Sequence, residues 1–190
     1  MHWNAYGAYE GYKDIINLIG QDYDIEQAHT IKEEIVYPYE FYGNLANKIG
    51  GYGEKDHIID LVLDGVGDFD YYVNGELADY YAIKEDYKEN GNSTIYSDYD
   101  IYFGDNYFFR EFDFHNEEKP NLLIFGDSYK NTNMMWIASH FNKTIIFDLR
   151  SKPDDFNLDD YIEKYDIDIA LVTYHYYFGY FDGHLFIPLD

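Results

Sequence analysis

The turn Gly126-Asp127-Ser128-Tyr129, which follows an apolar run, holds the residues best suited to chemistry. A serine at the end of a buried strand can act as a nucleophile if a base and oxyanion donors lie within reach. The same turn could be purely structural, with Ser128 or Asn131 capping the next helix and Gly126 allowing a sharp bend. A phosphate-binding loop is less favoured, because the sequence lacks the glycine-rich pattern and Lys-Ser/Thr pair of a P-loop.

Two of the seven histidines lie in informative positions as candidate bases. His2 begins the stretch HWNAYGAYEGY, and His184 lies in FDGHLF near the other end of the chain. His140 falls late in the helix predicted after the turn, and we expect it at the surface. The histidines in polar segments without a motif are His29, His57 and His115.

The last third of the chain predicts the elements that position the turn. Continuous apolar runs at Leu122–Phe125, Thr144–Phe147 and Ile167–Thr173 are typical of strands buried on both faces. Helical patterns at Asn131–Phe141 and Leu158–Tyr165 separate them. This β-α-β-α-β order predicts a three-layer α/β domain with a central, mostly parallel sheet. Ser128 would then lie at the carboxyl edge of the sheet, where functional groups gather.

The first two thirds predict a helix and several extended segments. Residues 4–19 have apolar side chains at helical spacing, with Asn4 as N-cap and Gly20 as the stop. Residues 33–42 are predicted to be extended, and 55–63 fit either a short helix or a strand. Asn74-Gly75 between two alternating runs predicts a β-hairpin over 69–83. We interpret about 66–118 as a β insertion or sheet extension within a single domain over 1–190.

Composition narrows the classes of function. The 190 residues include no cysteine, which excludes disulfides, thiol catalysis and cysteine-ligated metals. The net charge of -24 disfavours binding to nucleic acid or anionic lipid. Twenty-four tyrosines suit packing in a folded core, and exposed tyrosines suit stacking on sugar rings. We find no membrane-spanning run, no secretion signal and no evident cluster spaced for a metal, so no metal or cofactor is expected.

Four collinear motifs resemble the DHHW family, which is related to the SGNH-like domains of alginate O-acetyltransferases. They are HWNAYGAY at 2–9, YGNL at 42–45, LLIFGDSY at 122–129 and IFDLR at 146–150. The resemblance implies an SGNH-like, flavodoxin-like three-layer fold. It also implies that Ser128 is the nucleophile, that His2 is the general base, and that Trp3 occupies the aromatic position of the motif.

The chain departs from the family pattern at its first residue. The aspartate of the motif would precede Met1, so by this resemblance we expect the sequence to begin inside the motif, downstream of the membrane-anchoring segment usual in the family. Loss of an orienting aspartate can cost on the order of 10⁴ in rate. An alternative base pair is Asp182 and His184, because SGNH hydrolases carry Asp-x-x-His near the carboxyl terminus. Here only one residue separates the two.

The resemblance also suggests supporting residues. The backbone N–H of Ser128 or Tyr129 would be the first oxyanion donor, and Asn106, in the turn after a predicted strand at 99–103, could add a second or form an Asx turn. Asp127 would support the turn. Arg150 would follow the second buried strand, where it could pair with Asp148 or meet substrate.

The sequence therefore predicts an SGNH-like serine O-acyltransferase or esterase acting on extracellular or cell-surface carbohydrate. Its partners would be an acyl donor and a carbohydrate acceptor. The alternative is a catalytically inactive SGNH-like module that binds a glycan or a protein. A flavodoxin-like or regulatory α/β domain is a weaker third interpretation.

Overall fold

A six-stranded mixed sheet forms the centre of this computed structural model, which describes residues 3–41, 50, 55–82 and 107–174. The strand order is β4-β3-β5-β7-β6-β8. The strands of this sheet are β3 (Asp70–Val73), β4 (Glu76–Ala78), β5 (Phe109–Asp113), β6 (Leu122–Gly126), β7 (Lys143–Phe147) and β8 (Ile169–Thr173). A separate antiparallel pair consists of β1 (Ile31–Phe41) and β2 (Asp56–Leu63), so the ambiguous segment at 55–63 is a strand.

The predicted α/β class and its β-α-β-α-β unit are confirmed. Strand β6 pairs in parallel with both β7 and β8, and the helix α3 (Leu158–Tyr165) has the predicted bounds. The expected predominance of parallel pairs holds only for this half of the sheet. Strands β3, β4 and β5 are antiparallel, because the described parts of 66–118 extend the same sheet through a hairpin and its return strand.

The sheet is covered on both faces, which gives the three predicted layers. Alternate residues of β6 point to opposite sides, as the two-residue period of a strand requires. Leu122 and Ile124 join the core beneath α1 (Ala5–Ile19) and the short helix α2 (Met134–Ala138). Leu123 and Phe125 join the second core, which includes side chains of α3.

The helix α1 is set by its cap and by a glycine. The side chain of Asn4 accepts a hydrogen bond from Gly7 N–H at 2.8 Å, which confirms the predicted N-cap. A Cβ on Gly11 would lie 1.8 Å from Cζ3 of Trp3. The glycine therefore leaves room for the indole of Trp3 to pack against α1, which positions Trp3 of the N-terminal motif.

The predicted hairpin is confirmed, and the backbone angles of its two turn residues explain why it forms. Asn74 and Gly75 both have positive φ, at 50° and 86°, as a type I′ turn requires. The turn joins β3 to β4, with Tyr71 opposite Ala78.

The helix predicted over 131–141 is broken. A 3₁₀ turn at Ser128–Thr132 precedes α2, and Asn133 between them has φ -124° and ψ -1°, outside helical geometry. The prediction that His140 lies at the surface is wrong, because its side chain is fully buried against Tyr12. Burial lowers the pKa of His140 to about 3. None of the helices in the described ranges is both long and apolar enough to cross a membrane.

Candidate active site

The carboxyl ends of three parallel strands bring the candidate residues to one edge of the sheet. Phe125 pairs with Phe147, and Gly126 pairs with Thr173, so β6, β7 and β8 end together. The residues that directly follow these strands therefore share this edge. They are Asp127 and Ser128 after β6, Asp148 to Arg150 after β7, and Tyr174 after β8.

The Ser128 turn is held by its neighbour Asp127 rather than by the serine itself. Asp127 is buried and caps the 3₁₀ turn, where its Oδ1 accepts a hydrogen bond from Tyr129 N–H at 2.9 Å. Ser128 is the first residue of that turn and is partly exposed. Neither Ser128 nor Asn131 provides the cap that a purely structural interpretation proposed. The Tyr129 N–H, one of the two predicted oxyanion donors, is therefore engaged by Asp127.

Gly126 is required by space, not by its backbone angles, because it has no positive φ. An added Cβ would lie 2.4 Å from Oγ1 of Thr173 and 2.7 Å from the Thr173 carbonyl oxygen. It would also lie 2.8 Å from Cδ of Lys130. The glycine thus allows β8 and the Lys130 side chain to approach the end of β6 closely.

We expect Gly126→Ala to lower the free energy of unfolding by about 1–3 kcal/mol, the usual cost of overpacking. The Thr173 carbonyl belongs to the paired backbone and cannot rotate away, so the two strands must separate. The matched control is Gly67→Ala, because a Cβ there meets nothing within 4 Å. It should change stability by no more than about 0.5 kcal/mol in urea unfolding. Equal effects of the two substitutions would contradict this packing.

Two buried cations lie beneath the turn. Lys130 and Arg110 are 2% and 1% exposed, and both donate to the side-chain oxygen of Asn131, at 3.4 and 3.2 Å. Lys130 Nζ also donates to the Asp127 carbonyl at 3.2 Å and lies 3.9 Å from Asp148 Oδ2. The Ser128 turn therefore rests on a buried cluster in which two basic side chains lie with the carboxylates of Asp127 and Asp148.

The buried lysine has a strongly altered acidity. Burial lowers the pKa of Lys130 from 10.5 to about 7, although Asp148 acts in the opposite direction. Asp148 is shared with Arg150, whose Nε donates to Oδ1 at 2.8 Å and whose Nη2 lies 2.5 Å from Oδ2. Burial alone would raise the pKa of Asp148, but Arg150 and Lys130 hold it below its usual value. Arg150 therefore forms the ion pair that was one of its two predicted roles.

The N-terminal motif meets the serine turn. The rings of Trp3 and Tyr129 pack edge to face, with centroids 6.2 Å apart. Trp3 directly follows His2, and Tyr129 directly follows Ser128. Two motifs separated by most of the chain are therefore adjacent in space.

Four predicted site residues lie outside the described residues: His2, Asn106, Asp182 and His184. The chain next to Asn106 does reach the site edge. Phe108, two residues later, accepts a hydrogen bond at its carbonyl from Asp148 N–H at 2.9 Å.

Sequence reasoning missed three residues at this edge: Lys130, Arg110 and Tyr174. Burial, with Asp148 and Asp127 next in importance, raises the pKa of Tyr174 to about 12. Its buried hydroxyl has no hydrogen-bond partner within the described ranges. Only Lys130 could have been found from the sequence, because it directly follows the GDSY motif. The burial of Arg110 and Tyr174 depends on strand pairing, which the sequence does not show.

One cleft of about 590 Å³ lies against α3 on one face of the sheet, and its lining extends to Phe109, which pairs with the last residue of β7. Its lining includes Asn121 and Asp166, which precede β6 and β8, together with Tyr72, Tyr161 and Tyr165. None of its lining residues belongs to the Ser128 turn, and we do not assign the cleft to acyl chemistry.

The sheet and the helices on its two faces define a three-layer α/β protein, and its fold is similar to those of three solved structures. Bacillus cereus PatB1 with a sulfonyl adduct superposes with a TM-score of 0.68 at 20% identity, over 91% of this chain and 58% of that one. PatB1 without the adduct gives 0.65 at 20% identity, over 91% and 59%. A DHHW family protein from Eubacterium siraeum gives 0.66 at 18% identity, over 91% and 56%.

These likenesses confirm, at the level of the fold, the DHHW resemblance predicted from the motifs. This chain spans 56–59% of the length of those three structures. No protein-family model and no curated protein matches the sequence.

Proposed function

We propose that this protein is an SGNH-like serine O-acyltransferase or esterase that acts on carbohydrate at or outside the cell surface. The observation that carries the proposal is the contact between Trp3 and Tyr129. It supports a site in which His2 and Ser128, the neighbours of these two aromatic residues, work together. The shared edge of the sheet supports the roles of Asp127 and Arg150 in holding that site.

The reaction follows the chemistry of an activated serine. Ser128 Oγ attacks the acyl carbonyl carbon as His2 takes the hydroxyl proton, and the carbonyl π electrons move to oxygen. The tetrahedral intermediate then collapses, and the leaving alkoxide takes the proton from the His2 imidazolium. A sugar hydroxyl or water next attacks the acyl-Ser128 ester, losing its proton to His2. Collapse of the second intermediate returns that proton to Ser128 Oγ.

The oxyanion would be held by the Ser128 N–H, with Asn106 as a second donor. Arg110 and the protonated form of Lys130 lie beneath the turn and would support the negative oxygen through their field. Asp182 and His184 form the alternative base pair if His2 does not serve. The net charge of -24 favours neutral or cationic glycans as acceptors.

A sulfonyl fluoride tests the nucleophile directly. The serine oxygen displaces fluoride from sulfur, so the S–F bond breaks, an O–S bond forms and the proton leaves with fluoride. PatB1 has been solved with a sulfonyl adduct. We expect phenylmethylsulfonyl fluoride to modify Ser128 in this chain, as located by peptide mass spectrometry, and an acetyl-ester substrate to slow the modification.

Peptide mapping is essential because exposed tyrosines also react with sulfonyl fluorides. Ser151 is the internal control, since it is exposed at the same edge but lies outside the turn. Modification spread equally over Ser128 and Ser151 would contradict an activated nucleophile. Two results together would instead favour the inactive glycan-binding module. They are an unmodified Ser128 and retention of the chain on a column of immobilised polysaccharide.

A further inference from the structure

The cleft against α3 is built from residues that the proposed acyl chemistry does not use. Its volume of about 590 Å³ falls within the roughly 300–1,000 Å³ typical of small-molecule sites. We propose that this cleft binds a neutral saccharide that carries a vicinal diol. The side chains that argue for this ligand are three tyrosines, a buried carboxylate and two lysines, namely Tyr72, Tyr161, Tyr165, Glu111, Lys143 and Lys164.

The floor of the cleft is a polar part of the sheet face that packs against α3. Tyr72 of β3 lies opposite Glu111 of β5, and Lys143 of β7 lies opposite Asp113, two residues further along β5. Paired residues lie on the same face of a sheet, and so do residues two apart in one strand. Three adjacent strands therefore present a phenol, a carboxylate and an ammonium group on one face.

Glu111 is buried, yet it retains the capacity to accept further hydrogen bonds. Its side chain is 11% exposed, and a buried carboxylate costs free energy unless partners replace the lost water. Among the described residues, the one hydrogen bond that it accepts comes from the Tyr165 hydroxyl, at 2.8 Å. An ionised carboxylate has about four acceptor positions. A ligand hydroxyl in the cleft could therefore donate to Glu111.

Lys143 and two tyrosines supply donors next to that acceptor. Lys143 Nζ lies 3.9 Å from Glu111 Oε1 and donates to Asp113 at 2.6 Å, which leaves two of its three protons for other partners. The hydroxyls of Tyr72 and Tyr161 have no hydrogen-bond partner within the described ranges. In a vicinal diol, one hydroxyl can donate to the carboxylate while its neighbour accepts from the ammonium group.

Aromatic rings and balanced charge favour a neutral saccharide over other polar ligands. Tyr161 and Tyr165 lie one turn apart on α3, with their rings inclined by 2° and their centroids 6.4 Å apart. Such rings suit contact with the apolar C–H faces of sugars. The two lysines of the lining match its two carboxylates, Glu111 and Asp166. The cleft therefore lacks the excess negative charge of the whole chain, and its charge favours neither anions nor cations.

The test is an NMR titration of the ¹⁵N-labelled full chain with three neutral probes: cellotriose, mannotriose and xylotriose. Each probe carries vicinal diols. We expect at least one of them to bind, with amide shifts concentrated at 72–75, 109–111 and 161–166. Ser128→Ala should leave this binding unchanged, because the cleft and the Ser128 turn share no residue. The outcome is therefore independent of whether the proposed acyl chemistry holds.

Glu111→Gln should weaken binding of the best probe by about 10–100-fold, as the loss of a hydrogen bond to a charged group does. The matched control is Glu163→Gln, which neutralises an exposed carboxylate of α3 outside the lining. Tyr72→Phe removes a hydroxyl that has no partner among the described residues, so the fold should be unaffected. It should weaken binding by about 2–10-fold.

Trigalacturonate tests the class of ligand, because it has vicinal diols but carries a carboxylate on each ring. It should bind more weakly than the best neutral probe. Tighter binding of trigalacturonate would indicate an anion site on the lysines and would overturn the proposal. Failure of all three neutral probes to bind the parent chain would overturn it as well, as would equal effects of Glu111→Gln and Glu163→Gln.

Discussion

Ser128→Ala is expected to lower kcat/KM for a small acetyl ester by on the order of 10⁴-fold or more, as removal of a serine nucleophile does. The fold should survive, because Ser128 is partly exposed and the turn is capped by Asp127. The free energy of unfolding should therefore change by less than about 1 kcal/mol. Ester hydrolysis and urea unfolding, measured on the same preparation, separate lost chemistry from lost structure.

Ser151→Ala is the matched control for that experiment, since it deletes an exposed hydroxyl at the same edge of the sheet. It should retain the parent rate. If Ser128→Ala hydrolysed the ester as fast as the parent, the nucleophile assignment would fail. A parent chain without any turnover would instead favour the binding module, because the fold is preserved without the chemistry.

Lys130→Met should change how stability depends on pH. The pKa of Lys130 falls from 10.5 to about 7 on folding because the amine is buried. Between these values the unfolded chain binds more protons than the folded one, so this group makes stability rise with pH. Its destabilising effect is complete below about pH 7 and disappears above about pH 10.5. The destabilisation by Lys130 is at most about 5 kcal/mol, since a pKa shift of one unit corresponds to about 1.4 kcal/mol.

The measurement is urea unfolding of the parent chain and Lys130→Met from pH 6 to 9.5. Above pH 7 the parent should gain stability relative to the variant, and below it the difference should level off. Comparing the two chains cancels the titrating groups that do not interact with Lys130. Lys152→Met is the control, because it deletes the same charge from an exposed position at the same edge. If the difference in free energy of unfolding between the two chains did not vary with pH, the lowered pKa of Lys130 would be contradicted.

Local sequence signals predicted the elements well where one short pattern sufficed. The helix α3 and the Asn74-Gly75 hairpin followed from periodicity and from residues that tolerate positive φ. The continuous helix over 131–141 was wrong, because propensity does not reveal that Asn133 leaves helical geometry in a fully buried segment. The hairpin region extends the sheet, which was one of its two predicted roles, but the antiparallel pairing of β3, β4 and β5 was not predicted, since alternation predicts a strand but not its partner.

The sequence by itself determined the β-α-β-α-β order, and with it the position of Ser128 and Arg150 at one edge of the sheet. These features depend on patterns within a few residues and on the handedness of parallel connections. Only the tertiary structure decided that Trp3 meets Tyr129, that Lys130 and Arg110 are buried together, and that His140 stacks on His29. Such contacts join residues far apart in the chain, and their energies come from burial and pairing that no local pattern encodes.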